Sequence, residues 1–233
     1  MYAHTDNEVY VTLYAANRTE IPLGSGKVQI QQETAYPFDG RVVLTVSPAS
    51  EGQKFNLRLR IPTWAQEQFM PGALYSFVEP PPKWELRVNG RPVQPKWDKG
   101  FTVLQGPWKS GDKVQLDLPM PVQISTCIDK VTAYAGRVAV TRGPLVYCAE
   151  EADNNGPVQR LAIPKLPGAG QIKVSTVQEG VLKGVRMSSF PAAEDVAGEE
   201  RPLTIHLVPY YSWENRGDKS MIVWIPRSLR SSP

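Results

Sequence analysis

Two histidines, two cysteines and one dense acidic run hold most of the chemistry this chain could attempt. His4 lies near the N-terminus and His206 inside an alternating apolar run, so a zinc site or a His-dependent catalytic site would be hard to assemble from them. His206 is expected on the opposite strand face from Ile205 and Leu207, as a solvated or internally satisfied side chain. Cys127 and Cys148 lack the short spacing of a metal pair, and two cysteines make no disulfide framework in a chain of 233 residues. Both read as buried free thiols. A disulfide between them would instead imply an oxidising compartment.

Glycoside hydrolysis needs only two carboxylates, roughly 5–10 Å apart in a cleft. The run Glu150-Glu151-Ala152-Asp153-Asn154-Asn155-Gly156 is the place to look for them. It follows a strand-like segment and ends in Asn-Gly, so a solvated turn accounts for it, and its oxygen spacing matches no calcium loop. Glu199-Glu200 reads as loop charge. Gly24-Ser25-Gly26 lacks the flanking strand and helix that would expose a serine nucleophile, and no Gly-rich phosphate loop occurs. No catalytic, cofactor-binding or metal-binding residue is therefore assigned. Six tryptophans, Trp64, Trp84, Trp97, Trp108, Trp213 and Trp224, leave one binding chemistry open, because indole faces pack on the apolar faces of sugars. The competing reading puts Trp84 and Trp224 in strand cores, with Trp97, Trp108 and Trp213 bracing turns or an interdomain surface.

The elements that must carry these residues are strands. Val9, Val11 and Leu13 alternate with Tyr10, Thr12 and Tyr14, and Phe55, Leu57, Leu59 and Ile61 alternate with Asn56, Arg58 and Arg60. The same period recurs at Val28 and Ile30, at Val42, Leu44 and Val46, at Leu86 and Val88, and at Val114, Leu116 and Leu118. Such half-buried strands suit antiparallel sandwiches. Asn89-Gly90 predicts a hairpin near residues 84–94; Lys109-Ser110-Gly111-Asp112 and Asp39-Gly40 mark further turns. Sustained helical periodicity is absent beyond a single turn at Ala65-Gln66-Glu67-Gln68. The 22 prolines and 18 glycines fit many short elements joined by turns.

The fold class is therefore all-β: two consecutive antiparallel β-sandwich domains, residues 1–120 and 121–233, divided at Pro119-Met120-Pro121 where two prolines interrupt ladder donors. Val138 to Cys148, Val158 to Ile163, Ile172 to Val177, Leu203 to Val208 and Met221 to Ile225 are the expected strands of the second domain. Ala192 to Glu200 is expected as an exposed loop. A net charge of +3, spread over the strands without a block, argues against nucleic acid and anionic membrane as partners. Neither a bilayer-spanning stretch nor a signal-like N-terminus is evident, so the chain reads as soluble and without an address, its compartment unassigned.

Five stretches occur in an informative order: Ile61-Pro62-Thr63-Trp64-Ala65; Val88-Asn89-Gly90-Arg91-Pro92-Val93; Gly111 to Met120; Gly136 to Cys148; and Pro209 to Gly217. Together they resemble the C-terminal β-sandwich region of β-L-arabinofuranosidase-type glycoside hydrolases, family 127. The resemblance implies an upstream (α/α)6 barrel with a cysteine nucleophile and a zinc site of Cys and Glu, followed by two β-sandwiches. On that basis the chain starts where the barrel ends, and it carries no counterpart of the catalytic and metal residues. Cys148 belongs to a second-sandwich motif and is not the nucleophile. The segment from Gln66 to Lys83, with Pro80-Pro81-Pro82, is longer than the family pattern. The implied function is a non-catalytic accessory region that supports the barrel, with Tyr210, Tyr211 and Trp213 as the interface. Its partners are that barrel and, further, a second copy of the chain in a homodimer. The alternative is a carbohydrate-binding module for plant polysaccharide. No cofactor is expected in this chain, zinc being implied only for the barrel.

Overall fold

The computed structural model describes residues 1–66, 72–196, 198–217 and 219–228. Among them every regular element is a strand or a short 3-10 turn, arranged in three sheets. The chain divides into two units, Met1–Glu67 with Pro81–Met120 and Gln68–Pro80 with Pro121–Pro233.

The first unit is built by alternation. A five-stranded sheet orders Tyr2–His4, Glu8–Val11, Asn56–Arg60, Phe101–Gln105 and Lys96–Asp98; a six-stranded sheet orders Asn17–Leu23, Gly26–Thr34, Arg41–Pro48, Asp112–Asp117, Glu85–Val88 and Arg91–Pro92. Val9, Val11, Leu57, Leu59 and Leu104 of one sheet share a core with Val28, Ile30, Val42, Leu44, Val46, Leu86, Val114 and Leu116 of the other. Every second residue thus leaves water, which is the force that joins the two sheets. Leu13, expected to continue the face of Val9 and Val11, is exposed because the strand stops at Val11.

Asn89 and Gly90 turn the Glu85–Arg91 hairpin with φ of 50° and 78°, as a primed turn requires. Gly40 serves for a different reason. A Cβ there would lie 1.7 Å from the Leu118 carbonyl oxygen, while the Leu118 N–H donates to Gly40 O at 3.0 Å. Only a residue without a side chain lets these two backbones meet. The turn at Ala65-Gln66 is the end of a 3-10 turn over Thr63–Ala65; Glu67 and Gln68 lie outside the described residues.

Purely antiparallel pairing does not hold. Glu8–Val11 runs parallel to Asn56–Arg60. Between them the chain builds three strands of the opposite sheet before returning in the same direction, and such a crossover carries no signature in local periodicity.

The second unit is likewise not a clean sandwich. One ten-stranded sheet runs Leu161–Ala162, Arg186–Val196, Glu199–Pro209, Leu145–Glu150, Arg137–Arg142, Val122–Cys127 and Tyr75–Phe77, with three further strands paired off this path. Strands change partners along their length. Arg137–Arg142 pairs with Ile225–Pro226 at its start and with Val122–Cys127 beyond; Leu145–Glu150 passes from Arg137–Arg142 to Glu199–Pro209 and then to Met221–Ile222. A sheet that exchanges partners in this way curls into a half-barrel, so Val138, Val140, Tyr147, Ala149, Phe190, Ile205, Leu207 and Ile225 of the same sheet meet in one core. On the other strand face Cys148 and Val208 pack with Leu182 in a small separate cluster.

Three expectations for this unit change. Ala192 to Glu200 is not a loop: Arg186–Val196 and Glu199–Pro209 form a hairpin of two 11-residue strands in continuous register from Ser188↔Leu207 to Val196↔Glu199. Its Ala, Glu and Asp content misleads because pairing to a long partner outweighs intrinsic strand preference. The segment between Gln66 and Lys83 supplies Tyr75–Phe77, which pairs with Val122–Cys127 in the second unit. Val158 to Ile163 opens as a 3-10 turn, and only Leu161–Ala162 is strand. The hairpin of Arg137–Arg142 and Leu145–Glu150 turns through Gly143-Pro144, with Gly143 at φ 56° as a type II′ turn demands.

Candidate functional site

The strand Glu199–Pro209 ends at proline, and the chain turns into the 3-10 segment Tyr210–Ser212. Three hydrogen bonds pin that turn: Ser212 Oγ to Pro209 O at 2.6 Å, Trp213 N to Tyr210 O at 3.1 Å and Asn215 Nδ2 to Ser212 O at 2.9 Å. Tyr210 and Tyr211 are 46% and 54% exposed. Tyr210 stacks on Trp213 with ring centroids 5.9 Å apart. The structure separates the three aromatic residues. Trp213 packs on the Cys148 and Val208 cluster with its indole N–H buried and unpartnered, while the two tyrosines face outward.

Directly behind this turn lies the acidic run, which is not a solvated turn. Arg216 Nη1 and Nη2 donate to both Asp153 carboxylate oxygens at 2.6 and 2.5 Å, and Nη2 also reaches Glu150 Oε2 at 2.7 Å. Asn154 donates to the carbonyls of Glu150 and His206 and accepts the His206 N–H at 2.9 Å; Ser220 Oγ donates to Glu151 Oε2 at 2.7 Å. Local reading missed this because every partner except the Glu150 carbonyl is more than fifty residues away in sequence. The fork geometry, through Asp153 first and then Glu150, pushes the guanidinium above its ordinary range. Both carboxylate side chains are almost fully buried and engaged by Arg216, so they are not presented to a substrate as a glycosidase pair must be.

The cysteines and histidines are placed as follows. Cys148 is fully buried, and burial, followed by the nearby Glu150 and Asp153 charges, pushes its thiol up to about 12. A thiol so protonated is a poor nucleophile and a poor metal ligand. Cys127 is half-buried rather than buried, and both thiols are free. His206 projects away from the buried Ile205 and Leu207, as the alternation predicts. Among the described residues no three His, Cys, Asp or Glu side chains gather to hold an ion. The Cys and Glu zinc set implied for the family therefore has no fit among the described residues: Cys148 is a buried thiol, and Glu150 is already engaged by Arg216.

Two further aromatic groups stand out. Trp224 lies between Tyr134 and Tyr75, at centroid distances of 4.8 and 5.7 Å, and is half-buried in the turn between two short strands instead of a strand core. Trp97, on the strand Lys96–Asp98, is 47% exposed and stacks on the half-buried Trp84 at 6.4 Å. Trp108, expected as a brace, is a core residue that stacks on Phe55 and donates its indole N–H to Phe55 O at 3.0 Å.

Fold and site define an all-β protein of two units with an arginine-bound carboxylate cluster, a buried thiol and outward aromatic surfaces. The chain belongs to glycoside hydrolase family 127: residues 8–120 match its profile "Beta-L-arabinofuranosidase, GH127 middle domain" and residues 122–226 match "Glycoside hydrolase family 127 C-terminal domain". It is 32% identical over 221 residues to the non-reducing end beta-L-arabinofuranosidase of Bifidobacterium longum subsp. longum, covering 87% of this chain and 30% of that protein. A solved GH127 beta-arabinofuranosidase superimposes with a TM-score of 0.89 at 36% identity, over 98% of this chain and 36% of the other. A GH127 beta-L-arabinofuranosidase from Geobacillus stearothermophilus T6 gives 0.82 at 33% identity, over 97% and 34%. The chain thus spans about a third of the length of these relatives. No helix among the described residues is long and apolar enough to cross a membrane.

Proposed function

We propose that these two β units are the accessory part of an arabinofuranosidase-type glycoside hydrolase and that they support its catalytic barrel. The observation that carries this reading is the match to the family's middle and C-terminal domains, in a chain whose acidic run around Glu150 and Asp153 is tied to Arg216. Tyr210, Tyr211 and Trp213 form the surface through which the second unit meets the barrel or a second copy of the chain. Exposed aromatic residues on a pinned turn are suited to this, since they bury much apolar area while losing little side-chain freedom.

The purified chain is expected to release no nitrophenol from an aryl β-L-arabinofuranoside and to carry no stoichiometric zinc by elemental analysis. Measurable hydrolysis would sink the accessory reading. For the surface, Tyr210→Ser together with Tyr211→Ser should convert any sedimenting dimer to monomer without moving the thermal midpoint. A dimer that persists in that variant places self-association elsewhere.

A second reading, sugar binding by the chain itself, is favoured by the half-exposed Trp97 beside Trp84.

A further inference from the structure

Along one side of the first unit, Lys96–Asp98 is the last strand of one sheet and Glu85–Val88 the next to last of the other. Trp97 is paired with Thr102, whose side chain is fully buried on the core face opposite Leu59. The Trp97 indole therefore leaves on the inner side of its sheet and meets Trp84 at that edge, with ring planes inclined by 30°. There Trp97 keeps nearly half its surface in water.

Grooves lie on both sides of Trp84. One, of about 380 Å³, has Pro82, Lys83, Trp84 and Trp97 in its wall; the other, of about 500 Å³, has Trp84, Arg87, Pro92 and Gln94. Both fall within the size range of small-ligand sites. Their walls combine flat apolar surfaces, the indoles and proline rings, with amide and charged hydrogen-bonding groups at the rim. At the rim Arg87 is paired with Glu85 at 3.0 Å, which leaves Lys83 as the single net charge among these groups. A polyanion would find no basic cluster there, and an apolar ligand would leave Lys83 and Gln94 without partners. A neutral sugar ring matches both features: its C–H face lies on indole and its hydroxyls reach the polar rim.

We infer that Trp97 and Trp84 form a saccharide-binding subsite for a neutral oligosaccharide, with Trp97 as the stacking platform and Lys83, Arg87 and Gln94 as hydrogen-bonding groups. This deepens the sugar-binding reading and rests on it. Two indoles with a groove on each side provide consecutive positions, so a chain of sugars binds better than a monosaccharide.

The test is calorimetric titration of the whole chain with an α-L-arabino-oligosaccharide trisaccharide and, in a second arm, with cellotriose; the two arms separate furanose from pyranose preference. Saturable binding with a Kd in the millimolar range or tighter is expected for at least one, weakened roughly tenfold or more by Trp97→Ala. Should Trp97→Ala unfold, Trp97→Phe identifies the Trp97 indole N–H resonance by its loss, and that resonance must shift during titration of the native chain. Binding that survives Trp97→Ala but is lost in Tyr210→Ala removes this subsite and keeps the sugar-binding reading. Absence of saturable binding by both trisaccharides removes both, and leaves the accessory role standing.

Discussion

Arg216 holds Glu150 and Asp153, which are almost fully buried, through a forked set of charge-assisted hydrogen bonds. Removing one partner of such a group leaves the others buried and uncompensated. Arg216→Ala should therefore lower the unfolding free energy by about 3 kcal/mol, read from urea melts. Arg216→Lys should recover only part, because a point charge cannot reproduce the two parallel bonds to Asp153. Side-chain direction was legible at His206, where a period of two places the imidazole opposite Ile205 and Leu207. The partner of Asp153 was not, since a guanidinium 63 residues downstream reaches it only after four strands have been laid between them. The same distance hid the role of Gly40, which exists to let the Leu118 carbonyl approach.

At the scale of elements, Tyr75–Phe77 shows how a short strand is retained. It pairs on one side only, with Val122–Cys127, and Leu74 and Val78 at its ends are exposed. What anchors it is Tyr75, packed against Trp224, which is itself stacked on Tyr134 and has its carbonyl held by Arg137 Nη1 at 3.1 Å. Trp224→Ala should cost about 2 kcal/mol of stability, from lost apolar burial and ring contact. It should also accelerate amide exchange at Val78 and Ile128, whose N–H groups donate to Ile124 O and Leu74 O, well beyond any change at the core strand Glu199–Pro209. Uniform acceleration would mean that the strand is held by the sheet as a whole. Glu8–Val11, Gly26–Thr34, Arg41–Pro48, Asn56–Arg60 and Asp112–Asp117 were readable because each has one wet and one dry face. The hairpin of Arg186–Val196 and Glu199–Pro209 was not, because Pro191, Pro202 and the alanines between them break the alternation that marks a strand, while the ladder tolerates them at a long partner.

For the whole molecule, composition and period alone led to an all-β chain of many short strands divided near Pro119-Met120-Pro121, and its ordered motifs led to the family that the matches over 8–120 and 122–226 bear out. Those properties are local: alternation, turn chemistry and short motifs are written in neighbouring residues, and burial of one strand face follows from them without knowledge of the partner. Tertiary structure decided the rest. The parallel return of Asn56–Arg60, the curl of the second sheet, the passage of Tyr75–Phe77 into the second unit, the pairing of the acidic run with Arg216 and the meeting of Trp84 with Trp97 all join residues distant in sequence. Which strands become neighbours is set by topology and by the burial it permits, and a period of two is the same whichever partner is chosen.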